Sequence, residues 1–156
     1  MKKEMIVLAI ALVATIMTGC TATVPQKPVE HEQVRAINPP GTPEGLPFSN
    51  GILVGNTLYV AGMQGTDANG KLEDGIEAQT RGALESIQKT VEGAGMTMGN
   101  VVAVNVYLAD VKEFGKMNSV YKTFFPDPKP TRTTVQAAGL VNGARIEISA
   151  IAVKPR

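Results

Sequence analysis

The stretch "NVVAVNVYLAD", residues 100–110, sorts its residues with a period of two. Val102, Val104, Val106 and Leu108 fall on one side, and Val101, Ala103, Asn105 and Tyr107 on the other. Such alternation reads as a β-strand with an aliphatic face and a mixed face. The aliphatic face needs a cover, and both flanks supply one. Upstream, Ile76, Thr80, Ala83, Leu84, Ile87, Val91 and Ala94 recur at helical spacing, and the segment closes on Gly93 and Gly95. Downstream, Asp110 and Glu113 have the spacing of a helix cap. Phe114, Met117, Tyr121 and Phe124 line one side of a second helix, which Pro126, Pro128 and Pro130 stop.

Further out lie more strands. "ILVGNTLYVAGMQG", residues 52–65, is two β-rich runs about Gly55-Asn56, a pair suited to a tight hairpin turn. "TRTTVQAA" begins at Thr131, and "ARIEISAIAV" follows the turn Val141-Asn142-Gly143. The order is β-β-α-β-α-β-β, an α+β domain over residues 34–156 with both helices on one face of a mostly antiparallel, mixed sheet. In the last two strands Arg132, Thr134 and Gln136 share a face, and Glu147 and Ser149 oppose Ile146, Ile148, Ala150 and Ala152. With the helices on the aliphatic face, the expectation is that the other face holds Arg132, Glu147, Asn105 and Tyr107 with Ile151 and Val153. Such a mixture suits either a subunit interface with an enclosed site or a solvated sheet face bearing an Arg–Glu pair.

Residues 1–20 differ from the rest. Lys2 and Lys3 precede an apolar run from Met5 to Met17 broken only by Thr15, and Thr18-Gly19-Cys20 follows. This is the pattern of an export signal, too short to span a bilayer comfortably. "IMTGC" resembles the bacterial lipobox, whose cysteine is acylated and becomes the first mature residue; a buried structural cysteine and an uncleaved anchor are the alternatives. The expectation is an exported lipoprotein on the periplasmic side of the envelope, held to the membrane only through the lipid on Cys20. Thr21 marks no inner-membrane retention, which favours the outer membrane. With one cysteine in the chain no internal disulfide can form. Residues 21–33, with two prolines, scattered charges and no periodicity, read as a tether. His31, the only histidine, lies in it without the rigid partners that catalysis or metal binding needs.

Composition narrows the function. Removing Lys2, Lys3 and Glu4 from 15 basic and 14 acidic residues leaves 13 of each, so the mature chain is formally neutral. Without a Lys/Arg run or tryptophan, nucleic acid is not an expected partner. One histidine and one boundary cysteine make no metal site, and the glycines follow no phosphate-loop spacing, so no cofactor is expected.

"GLPFSNGILVGNTLYVAGMQG", "NVVAVNVYLADVKEFGKMNSVYKTFF", "KPTRTTVQ" and "RIEISAIAV" resemble, in order and spacing, successive blocks of the RidA/YjgF family of enamine/imine deaminases. The resemblance runs from about Arg35 to Val153. It implies a chorismate-mutase-like subunit in a homotrimer, with a site at each subunit interface. It further implies that Arg132 binds the substrate carboxylate and Glu147 positions the hydrolytic water, making these two the catalytic pair. Asn118 matches a family asparagine near the pocket, and Gly62 the glycine of a Ser-Gly-Gln block. Elsewhere this chain departs from the family pattern. Phe48 stands where a tyrosine is usual, Ala61 and Met63 flank Gly62, and Thr134 replaces a frequent cysteine.

The implied partner is a small 2-imino or 2-keto acid. A 2-imino acid is already electrophilic at its C=N carbon, so a held carboxylate, an aimed water and a proton for ammonia suffice. Arginine's planar fork suits the first task and a carboxylate base the second. The runner-up is a binding module of the envelope that keeps the clamp without turnover. A ribonuclease activity fits poorly with neutral charge and export. On the lipobox reading, Cys20→Ser abolishes incorporation of labelled fatty acid and releases the protein from membranes; equal membrane retention excludes a lipid anchor.

Overall fold

The computed structural model describes residues 33–155. The export signal, Cys20, His31 and all of the tether but Gln33 lie outside the described residues. The elements are β1 (Val34–Ile37), β2 (Gly51–Val54), β3 (Thr57–Met63), α1 (Gly75–Gly93), β4 (Val101–Leu108), α2 (Phe114–Tyr121), β5 (Thr131–Gln136) and β6 (Ile146–Val153). They form one six-stranded sheet in the order β1-β2-β3-β6-β4-β5. The β4–β5 pair is parallel, and the pairs β1–β2, β2–β3, β3–β6 and β4–β6 are antiparallel. The chain is therefore the mixed α+β sheet with two helices that its periodicity predicts.

The core lies between the helices and one sheet face. Ile146, Ile148, Ala150 and Ala152 of β6 are buried with Leu58 and Val60 of β3 and Val104, Val106 and Leu108 of β4. Leu84, Ile87 and Val91 of α1 cover them without measurable exposure, and Met117 and Tyr121 of α2 complete the cluster. Two polar residues on the buried stripe of α1 satisfy themselves inside the helix. Thr80 Oγ1 donates to Ile76 O at 2.6 Å and Thr90 Oγ1 to Ser86 O at 2.9 Å.

Three details depart from the periodic reading. First, β4 carries a β-bulge between Val101 and Ala103, where two residue steps on β4 face one on β6. Val101 and Val104 therefore both point into the core, and Val102, expected there, is 45% exposed. Second, β1 was not among the expected strands; its residues are exposed except Ile37, so it shows no alternation. Third, the parallel register sets Arg132 beside Val104 and Thr134 beside Val106, whereas Glu147 pairs with Tyr107 and Ser149 with Asn105. Residues paired across a ladder point to the same side. Arg132 thus lies on the helix side of the sheet and Glu147 on the other, and the expectation that they share a face is overturned.

The entry to α2 also differs from a simple cap. Asp110 Oδ1 accepts from Lys112 N at 2.9 Å, but Glu113 turns away to take Arg145 Nη1 at 2.6 Å, joining the head of α2 to the start of β6. α2 itself ends at Tyr121, before the first of the three prolines.

Just past β3 the chain crosses α1 at Gly65, where an added Cβ would run into the backbone of Gln79. Gly82 faces the same crossing, its own Cβ position lying 3.0 Å from Gly65 Cα. Gln79 is buried here with its amide used, donating to Glu73 O and accepting from Arg145 N, both at 2.8 Å. Because the obstacle is helix backbone, which cannot swing aside, Gly65→Ala is expected to destabilise the domain by about 1–3 kcal/mol or more in urea unfolding. An unchanged midpoint would show that the crossing is looser than described.

Candidate functional site

The site residues fall into two groups on opposite sides of the sheet. The first surrounds Glu147. Its carboxylate lies across Gly62 of β3, where an added Cβ would come within 2.8 Å of Glu147 Cδ; the missing side chain makes the space the carboxylate occupies. Gln64 Nε2 donates to Glu147 Oε2 at 3.1 Å and to Val141 O at 3.2 Å. Above them opens a cleft of about 960 Å³ between the end of β3, the 141–143 turn and the loop joining β1 to β2. Phe48 stands on its wall, 56% exposed. Ala61 and Met63 also border the cleft, Met63 from the core side, where it is buried and pairs with Ile148.

The second group surrounds Arg132, on the terminal strand of the sheet. Arg132 Nη1 donates to Asn118 Oδ1 on α2 at 2.8 Å. The guanidinium carbon lies 4.5 Å from the centroid of the Tyr121 ring and 5.4 Å from that of Phe114. Asn118 and Tyr121 are three apart on α2, and Phe114 precedes Asn118 by four, so all three face the arginine from one stripe. Two rings and an amide thus fix the guanidinium, leaving its other N–H groups for an anion. Thr134 follows on the same side, and its Oγ1, like Tyr121 Oη, is buried without a hydrogen-bond partner.

The structure brings Glu147, Gly62 and Phe48 together, and separately Arg132, Asn118 and Thr134. The residues that sequence reading left unassigned are Gln64, Tyr121 and Phe114. Tyr121 was legible as a core position, and its three-residue spacing from Asn118 was the available signal for its place beside Arg132. Among the described residues, no group of three or more His, Cys, Asp or Glu could hold a metal ion, and no helix is long and apolar enough to cross a membrane.

Burial pushes the Tyr121 phenol up to about 12 from its ordinary 10.0, against the opposing pull of the Arg132 charge. Its raised affinity for the proton stabilises the fold fully below pH 10, where both states hold it. That contribution is lost as pH rises towards 12, because the unfolded chain releases its proton first. Absorbance titration at 295 nm is therefore expected to show a late tyrosine phase near pH 12 that Tyr121→Phe removes. Retention of that phase in Tyr121→Phe would assign it elsewhere.

The family model described as Endoribonuclease L-PSP matches residues 42–154. The chain is similar to the 2-iminobutanoate/2-iminopropanoate deaminase of Rattus norvegicus, 40% identical over 109 residues, which is 69% of this chain and 80% of the rat protein. It superposes on the crystal structure of the YjgF gene product of E. coli with a TM-score of 0.73 and 29% identity, covering 78% of this chain and 99% of that one. The crystal structure of E. coli TdcF with bound serine aligns with a TM-score of 0.70 and 29% identity, over 78% and 98% of the two chains. With a family match running from the loop before β2 to the end of β6, the chain belongs to the Endoribonuclease L-PSP family, the RidA/YjgF family.

Proposed function

We propose that this protein is a deaminase that hydrolyses small 2-imino acids to 2-keto acids and ammonia, at sites completed between subunits of a homotrimer. The observation that carries the interface reading is the separation of Arg132 from Glu147 by the sheet itself. A small acid held at the guanidinium of one chain is screened from the carboxylate of that chain. Arg132 stands on an edge strand, however, where a neighbouring chain can bring up its own Glu147 cleft. The side of the sheet facing away from the helices supports such packing. Tyr59, Tyr107 and Val135 stand exposed there, Tyr107 paired with Val135, a grouping that a lone subunit would leave in water.

The reaction needs no more than these groups. Arg132 grips the substrate carboxylate, and water adds to the C=N carbon as Glu147 takes its proton. Glu147 returns that proton to nitrogen to give the carbinolamine, then carries the hydroxyl proton to the amine as the C–N bond breaks, so that ammonia leaves and the keto acid remains. The curated rat relative carries the deaminase name, and the serine in TdcF is a carboxylate-bearing ligand of the expected size. The lipobox-like Cys20 supports placing this activity on the periplasmic side of the envelope, anchored through lipid at the end of a tether.

A second reading, a carboxylate-binding module without turnover, is favoured by one feature. At the three positions of the cleft that depart from the family pattern, Phe48, Ala61 and Met63 bring no side-chain hydroxyl or amide, which leaves polar contacts to other lining residues such as Thr42, Asn50 and Gln64.

One experiment separates the two. Purified full-length chain is supplied with imines generated in situ by an amino-acid oxidase, and release of ammonia and keto acid is followed. Glu147→Gln is expected to lower kcat by about 10²–10⁴ while sparing pyruvate binding. Arg132→Ala is expected to weaken pyruvate binding by roughly 2–5 kcal/mol, and Arg132→Lys to keep the charge but lose the two-pronged grip. Pyruvate binding without turnover establishes the binding module, and equal pyruvate affinity in wild type and Arg132→Ala removes the clamp.

A further inference from the structure

Gln64 is the first residue beyond β3, and nothing in the family pattern assigns it a task. Met63 pairs with Ile148 on the core side, so the pleat carries Gly62 and Gln64 to the side of Glu147. One of these residues makes room and the other makes contact. Gly62, with no side chain, lets the carboxylate lie flat across the strand. The amide nitrogen of Gln64 carries two hydrogens and has two acceptors, Glu147 Oε2 at 3.1 Å and Val141 O at 3.2 Å.

The second acceptor matters as much as the first. Val141 O also takes the Ala144 N–H at 3.2 Å, so the amide is anchored on a turn closed by its own backbone bond. A side chain pinned at its far end to backbone holds a partner in a set direction, whereas one with a single acceptor swings with it. A neutral amide suits the purpose further, because it orients a carboxylate without bringing a full positive charge that would oppose proton uptake.

We propose that Gln64 is a positioning residue for Glu147: it occupies Oε2, leaving Oε1, above Gly62, as the oxygen that meets the reacting water. This rests on the deaminase reading of Glu147. An unheld glutamate on the wall of an open cleft has solvent-facing rotamers available, and a base displaced by about an ångström can lose on the order of a hundredfold in rate.

The test uses the full-length chain and 2-iminopropanoate generated in situ. Gln64→Leu keeps the bulk and removes the amide, with Gln64→Met in its place should the leucine variant fail to fold. The expected result is a kcat about tenfold to a hundredfold lower. KM is expected to stay within about twofold, since the substrate acid group is held at Arg132, and no further fall is expected when the change is added to Glu147→Gln. A purely structural role would lower the residual rate of Glu147→Gln as well, and that outcome overturns the proposal. Wild-type kcat in Gln64→Leu, alongside an inactive Glu147→Gln, overturns the positioning role and leaves the deaminase reading standing. Full activity in Glu147→Gln removes the reading itself and the proposal with it.

Discussion

The pleat of β6 is the constraint on which the rest of the structure depends. This strand runs through the middle of the sheet between β3 and β4, so its alternation sets what both neighbours bury. Ile146, Ile148, Ala150 and Ala152 face the helices, and Glu147 and Ser149 face away. A slip of one residue would carry four aliphatic side chains into water and a carboxylate into the core, each change costing on the order of kcal/mol. The position of Glu147 is therefore not a local choice. Packing by α1 against the opposite face of the sheet holds it in place.

The arginine is held by a different kind of force. Its strand lies at the sheet edge, where a side chain of this length would ordinarily wander in solvent. Here the rings of Tyr121 and Phe114 and the amide of Asn118 hold it from α2, so the direction of the guanidinium is decided by a helix rather than by its own strand. The raised proton affinity of Tyr121 belongs to the same arrangement. A ring buried deeply enough to support the cation also leaves its hydroxyl buried, with no hydrogen-bond partner.

Three of the four departures from the family pattern line the cleft at Glu147, and the fourth, Thr134, lies beside Arg132. Phe48, Ala61 and Met63 thin the polar fringe of the cleft, while Gln64, one residue further on, takes hold of the glutamate. The Arg132 side keeps its asparagine, and Thr134 stands in for the frequent cysteine. The anion clamp and the water-directing half of such a site can thus vary separately, because they are built on opposite sides of one sheet.

The sequence by itself determined both helices and every strand but β1, the aliphatic stripe of α1 and the two faces of β6, because each rests on spacing within one segment. It also carried the resemblance that names Arg132 and Glu147. It could not assign the faces of separate strands relative to one another. "TRTTVQ" has no apolar face, so nothing in its own residues says which side of the sheet Arg132 takes; hydrogen bonding in parallel with β4 decides that. Strict alternation reads Val102 as core and Val101 as outward, and only the bulge against β6 reverses them. Gln64 gave no signal, since its partners lie 77 and 83 residues away. Periodicity is a property of one segment, whereas facing and contact are properties of pairs, and pairs exist only once the chain has folded.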